Sequence, residues 1–160
     1  MKSVTEKLRI LNDYISDQEL PIKVLPLARH LGIKVYSAPW PDEISGRIQR
    51  DDKRGGESGF AIFVNKNHPE VRRRFTVAHE IAHYVLHERL IGDGVFDDAL
   101  YRSGLPHKEE VQANALAADI LMPRSLVRKM QGEHGDDVTK LAKIFNVSET
   151  AMSIRLGVLT

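Results

Sequence analysis

The sequence predicts an α+β chain: a small sheet of about three strands packed on a helical core, with short helices at the C-terminal end. Three observations predict it. Apolar residues recur at helical spacing near the start, in the middle and in the last third of the chain. Short β-prone runs bounded by glycine, proline and charged residues lie between the early helices and the central one. The central stretch, RRRFTVAHEIAHYVLH from Arg72 to His87, is apolar on most sides and reads as the buried helix around which the other elements are arranged.

Taken in order, Val4 to Ile15 places Leu8, Leu11 and Ile15 on one stripe, the pattern of a first amphipathic helix. Pro21 opens a short second helix in which Val24, Leu25, Leu27, Ala28 and Leu31 are apolar, and Gly32 ends it. Ile33 to Tyr36 follows as a strand. Pro39-Trp40-Pro41 is a loop, because two prolines remove amide donors within three residues, and Trp40 is expected to pack on the core. Ile44 to Gln49 and Gly59 to Val64 read as a second and third strand. Their connection, RDDKRGGESG, is hairpin-like and lacks the Gly-Lys-Ser/Thr ending of a phosphate loop. Asn65 to Pro69 leads into the central helix, which Gly92 and Gly94 close. Gly92 to Pro106 reads as irregular, either a lid or a solvated connection. A helix from about His107 to Met122 is stopped by Pro123, and two short helices follow, Val138 to Phe145 and Ser148 to Leu156, the latter capped by Ser148.

Composition narrows the function. A chain of 160 residues with 42% hydrophobic content is long enough for one compact unit, here divided into residues 1–123 and a helical extension at 124–160 packed on it. Basic and acidic residues number 23 and 22, so no overall field draws the chain to nucleic acid or an anionic membrane. Cysteine is absent, which excludes disulfides and thiolate zinc sites and leaves histidine and carboxylate to hold any transition metal. The opening residues contain no uninterrupted apolar run, so neither a signal peptide nor a membrane span is expected, and the protein reads as intracellular.

Within the central helix, His79, Glu80 and His83 form HExxH. At about 1.5 Å rise and 100° per residue, positions i and i+4 lie nearly one above the other, so two imidazoles can converge on one ion. Glu80 stands beside them, within reach of a water on that ion. Composition alone predicts only about 0.02 occurrences of this motif in such a chain. Phe75, Val77, Ala78, Ile81, Ala82, Val85 and Leu86 surround the trio, and buried histidine and glutamate need partners.

Catalytic zinc commonly has three protein ligands and an open position for water. His87 continues the i, i+4 series but lies about 12 Å along the axis from His79 on an unbroken helix, so it reads as a structural or rim residue. Glu109 and Glu110, at the start of EEVQANALAADILMP, are the remaining candidates, and helical geometry alone does not separate them. Glu110 is preferred because Asn114, one turn below it, can accept the free ring N–H of a ligating histidine.

RRFTVAHEIAHYVLH, followed by Glu-x-x-Ala-Asn and Ala-Ala-x-x-Leu-Met-Pro, resembles the ImmA/IrrE-type metallo-endopeptidases. The Pro-Ile-x-Val helix, Leu-Gly-Ile, Ile-Ser-Gly and Phe-Ala-Ile-Phe-Val-Asn fit the same pattern, over roughly Pro21 to Pro123. The resemblance implies a zincin, thermolysin-like (gluzincin) fold with the metallopeptidase unit in residues 1–123. It implies metal ligation by His79, His83 and Glu110, catalysis by Glu80, and Zn²⁺ or Mn²⁺ as the ion. It further implies a bacterial or phage-borne cytoplasmic protein that cleaves or inactivates a helix-turn-helix repressor, or acts in a toxin–antitoxin pair. Gln112 departs from the pattern where a second acidic residue is frequent.

Other readings compete. The chain could be a metal-containing toxin or binding module whose effect needs no hydrolysis. Val138 to Leu156 has helix-turn-helix spacing, but only Lys140, Lys143 and Arg155 are basic there, which disfavours direct DNA binding. Arg72-Arg73-Arg74 reads as a solvated helix start. Tyr101 and His107 are positional candidates for an oxyanion donor, and Gly59 to Val64 is a candidate exposed edge to which a peptide could add.

Overall fold

A computed structural model describes residues 1–158. The Ser3 hydroxyl accepts the Glu6 amide and opens helix α1, Val4–Ser16, whose Leu11 is buried with Leu8 and Ile15 packed beside it. Helix α2 runs Val24–His30, three residues later than Pro21 suggests, and buries Val24, Leu27 and Ala28 while Leu25 stays exposed. Strands β1 (Ile33–Ala38), β2 (Ile44–Arg50) and β3 (Phe60–Asn65) then lead into the long helix α3, Glu70–Ile91. Trp40, in the loop after β1, sets its ring edge-on to Phe96 rather than entering the core.

The sheet has four strands rather than about three, in the order β1-β3-β2-β4. The addition is β4, Gly94–Asp98, within the stretch expected to be irregular. β3 pairs parallel with β1 and antiparallel with β2, and β2 pairs antiparallel with β4. β3 is therefore interior, paired on both sides, and offers no edge for a peptide; the free edges are β1 and β4.

Helix α4, His107–Leu121, turns Ala113, Ala117, Ile120 and Leu121 inward and packs along α3, which is thus covered by sheet on one side and helix on the other. This explains why α3 is buried without interruption from Thr76 to Val85 and has no clear polar face. Three helices follow, α5 (Arg124–His134), α6 (Val138–Phe145) and α7 (Glu149–Leu156). α5 escapes a reading by periodicity because it buries only Val127 and carries Gly132 within it. Asn146, left-handed at φ 53, ends α6, and Ser148 caps α7.

The terminal helices are tied to the rest of the chain by arginine. Arg155 donates to the Met122 carbonyl at 3.0 Å and meets Asp119 at 2.5 Å, so one of the few basic groups of the tail is spent on the end of α4. Arg74 donates to the carbonyls of Asn146 and Phe145, capping α6, and Arg72 reaches the Ala99 carbonyl. The arginine cluster is thus half-buried bracing rather than a solvated helix start. Among the described residues no helix is long and apolar enough to cross a membrane.

One buried ion pair joins α1 to α3. Lys7, 2% exposed, sets Nζ 2.5 Å from Glu88 Oε1, 3.0 Å from the Tyr84 carbonyl and 4.3 Å above the Tyr84 ring. Removing one partner of such a pair is costly, and Lys7→Ala would leave Glu88 only the half-exposed Arg50 at 3.8 Å, so it is expected to cost about 3 kcal/mol and lower the urea midpoint, whereas replacing both partners with apolar residues should recover much of the loss.

Candidate metal centre

The site exists because α3 passes unusually close beneath the sheet. Gly46 in β2 permits this: a Cβ there would stand 2.5 Å from Thr76 Cγ2 and 3.4 Å from Glu80 Oε2. Opposite Gly46 in the ladder is Asp97 of β4, beside a register shift between Ile44 and Gly46. Strand alternation turns Val95 and Asp97 inward and Phe96 outward. From the other flank, α4 presents Glu110 and Asn114 to the same stretch of α3.

One ligand atom from each of His79, His83, Asp97 and Glu110 lies within 4.8 Å of the others, and all four residues are buried. His79 Nε2 is 3.1 Å from Asp97 Oδ1 and 3.6 Å from Glu110 Oε2; His83 Nε2 is 2.8 Å from Glu110 Oε1 and 3.9 Å from Asp97 Oδ1. Yet His83 Nε2, Asp97 Oδ2, Glu110 Oε2 and both oxygens of Glu80 have no hydrogen-bond partner. Buried polar atoms in this number are costly unless something satisfies them together. Two imidazole nitrogens and carboxylate oxygens pointing at one volume are the donor set of a borderline divalent ion such as Zn²⁺, and the residues fit one.

The outward nitrogens of the two imidazoles are held as well. Asn114 Oδ1 lies 2.8 Å from His79 Nδ1 and accepts its proton, so Nε2, 3.1 Å from Asp97 Oδ1, is the nitrogen left to bind an ion once its own proton is displaced. His83 Nδ1 lies 3.1 Å from His87 Nδ1, and His87 Nε2 lies 2.9 Å from Gln112 Oε1. Gln112 accepts from His87 Nε2, so a neutral His87 can only accept at Nδ1, and His83 must be the donor. His83 then also turns an Nε2 lone pair inward. Burial lowers the pKa of His87, which keeps it in the neutral form this chain needs. α3 accommodates the contact by leaving helical geometry at His87, where φ is −130 and ψ 27.

The charges are strongly coupled. Burial alone would lower the His79 imidazole, but the Asp97 and Glu110 carboxylates beside it prevail and hold its pKa up at about 9. Glu110 is driven well below the usual carboxylate range by His79 and His83 despite its burial. Glu80 is raised, first by complete burial and then by the charge of Asp97.

Of the residues expected from sequence, His79, Glu80, His83, Glu110 and Asn114 meet in one place. His87 and Gln112, read as a rim residue and a departure from pattern, join as the chain that orients His83. Asp97 was missed as a member of the cluster; its only trace in the sequence is the Val-Phe-Asp alternation, hidden among the small and acidic residues of a presumed loop. Tyr101 lies near the cluster, its ring 5.1 Å from that of His79 and its hydroxyl 3.1 Å from Thr76 Oγ1. His107 is exposed at the start of α4.

The chain matches the family model Peptidase_M78, described as IrrE N-terminal-like domain, over residues 28–157. It is 34% identical over 101 residues to the radiation response metalloprotease IrrE of Deinococcus radiodurans, a match covering 62% of this chain and 30% of that protein. The chain thus spans under a third of that relative. A solved Mycobacterium tuberculosis transcriptional regulator shares the fold at TM-score 0.62 and 18% identity, over 98% of this chain and 46% of that one.

Two outcomes follow from the geometry. Gly46→Ala should force β2 away from α3 and cost about 1–3 kcal/mol in urea unfolding, since neither Thr76 nor Glu80 has room to retreat. Because His79 holds its proton up to a pKa of about 9 when no ion is present, a divalent ion must displace it. Affinity for Zn²⁺ should therefore rise roughly tenfold per pH unit between pH 6 and 8 for each proton released, which calorimetry in buffers of different ionisation enthalpy will count.

Proposed function

The chain belongs to the IrrE N-terminal-like peptidase family, and from that membership we propose that it is a zinc-dependent endopeptidase of the bacterial or phage cytoplasm. In this reading His79, His83 and Glu110 hold the ion, with Mn²⁺ as an alternative to Zn²⁺, and Asn114 orients His79. The observation that carries it is the convergence of two inward Nε2 lone pairs and the Glu110 carboxylate beside the orphaned Glu80. Residues 1–123 hold this chemistry, and the extension at 124–160, of which 159 and 160 lie outside the described residues, is proposed to pack on it through its helices.

When bound, the ion supplies Lewis acidity, which lowers the pKa of water and polarises a peptide carbonyl. Glu80 acts on protons. It is fully buried, and its carboxylate form, disfavoured by that burial, is restored by a neighbouring positive charge. It then accepts a proton from water and returns it to the leaving amine. Tyr101, whose phenol lies beside the His79 ring, is the donor proposed for the oxyanion that develops on the carbonyl. Substrate enters along β4, the free sheet edge that borders the cluster, by strand addition.

The substrate proposed is a helix-turn-helix repressor or an antitoxin encoded beside this chain. Glu80→Gln is expected to abolish cleavage of that partner, by at least about 10³-fold, while the protein still retains Zn²⁺ in equilibrium dialysis; Glu110→Ala should lose the ion as well. Undiminished cleavage by Glu80→Gln would remove the mechanism. An unchanged cellular effect of that variant would instead favour a metal-containing toxin or binding module that acts without hydrolysis.

A further inference from the structure

A three-ligand centre accounts for His79, His83 and Glu110 but leaves Asp97 unexplained. Its side chain is fully buried, its Oδ2 has no hydrogen-bond partner, and its Oδ1 sits in the space between the two imidazoles. Among the described residues no backbone amide bonds this carboxylate; its Oδ1 meets His79 Nε2 at 3.1 Å instead. It faces three other ligand atoms. With metal–ligand bonds of about 2.0–2.1 Å, the edges of a tetrahedral site are about 3.3–3.4 Å. The four histidine-to-carboxylate separations, taken to whichever Glu110 oxygen is nearer, are 3.1, 3.6, 2.8 and 3.9 Å and straddle that value, and one ligand atom from each of the four residues lies within 4.8 Å of the others. Asp97 therefore stands at the fourth corner, the one that catalytic zinc sites leave to water.

We propose that Asp97 is a fourth protein ligand that closes the centre in the resting state, so that the enzyme is latent until β4 moves and carries Asp97 away. The inference rests on the three-ligand reading above. Four protein ligands close a zinc centre, as in structural sites, whereas catalytic centres keep a position open for water or substrate. Two carboxylates, Asp97 and Glu110, also supply two negative charges to a divalent ion among buried side chains. The means of opening is built into the sheet. β4 is an edge strand of five residues, hydrogen-bonded in the ladder to β2 alone, and its register slips at Ser45, directly beside the Gly46–Asp97 pair. A bulge next to a site is a point at which a strand can shift and re-aim a side chain. A peptide pairing with the outer edge of β4 would act on that strand.

The test uses the full chain loaded with Co²⁺, whose visible spectrum reports its ligands, and azide as a small anion that needs a vacant corner. The wild type is expected to resist azide, and Asp97→Asn to bind it at least tenfold more tightly with a shift in the Co²⁺ bands. Asp97→Glu, which keeps a carboxylate, should stay closer to wild type. Asp97→Asn should also hold Co²⁺ about tenfold to a hundredfold more weakly in equilibrium dialysis. Equal azide affinity and equal Co²⁺ retention in wild type and Asp97→Asn would overturn the proposal. Should Asp97→Asn fail to fold, the wild type decides alone: saturable azide uptake by it overturns the closed state, and its absence supports it. Co²⁺ uptake that needs Glu110 but not Asp97 sinks this inference only, whereas no uptake at all, or uptake indifferent to Glu110, takes the three-ligand reading down with it.

Discussion

The constraint on which the rest of this structure depends is the burial of polar, titratable side chains in the middle of one helix. His79, Glu80 and His83 have no access to water, and the neighbouring elements are placed to answer that. α4 brings a carboxylate and an amide, β4 brings a second carboxylate, and β2 gives up a side chain at Gly46 so that the helix can lie close. Even so, five side-chain atoms of Glu80, His83, Asp97 and Glu110 remain without hydrogen bonds. A folded protein rarely tolerates that number in one place unless a ligand answers them together.

Control of the imidazoles is as telling as their position. To hold an ion, each histidine must keep its proton on the outward nitrogen and turn the other nitrogen inward. Asn114 secures this for His79 in one step, whereas His83 is governed through His87 and Gln112 in two. Gln112 suits the second arrangement because its oxygen can only accept, which fixes the direction of both hydrogen bonds. The local break in α3 at His87 is the backbone's accommodation to this contact.

The remaining architecture serves to hold α3 and α4 at a fixed spacing. Alanines at 113 and 117 let the helices approach, while Lys7 pins α1 to the far end of α3 beneath Tyr84. The C-terminal helices are braced by Arg74 of α3 from one side and by Arg155 from the other, so one of the few basic groups of the tail serves the packing of the domain. Sheet topology also bears on the site: with β3 interior, β4 is the free edge strand, and it carries Asp97 to the cluster.

Much of this was readable in the linear order of residues. The buried HExxH helix and the placing of Asn114 one turn below Glu110 follow from helical periodicity, because residues one turn apart on a helix are neighbours whatever the rest of the chain does. The choice of Glu110 over Glu109 rests on the chemistry of Asn114, and the α+β class on the β-prone runs between the helices. Periodicity also gives α1, α6 and α7, whereas the hairpin of β2 and β3 is marked by the glycine-rich, charged connection between two β-prone runs. What local spacing could not supply was anything that depends on distant segments meeting. The fourth strand hides in a polar stretch that is a strand only because β2 pairs with it. Asp97 looks like a loop residue until that pairing turns it inward, and His87 is a rim residue until α4 lays Gln112 against it. The strand Gly59 to Val64 passes for an edge until β1 crosses over to its open side. Periodicity is a property of a few consecutive residues, whereas pairing and burial are properties of the packed whole; so the sequence alone determined which helix bears the chemistry, and only the tertiary structure decided which side chains surround it.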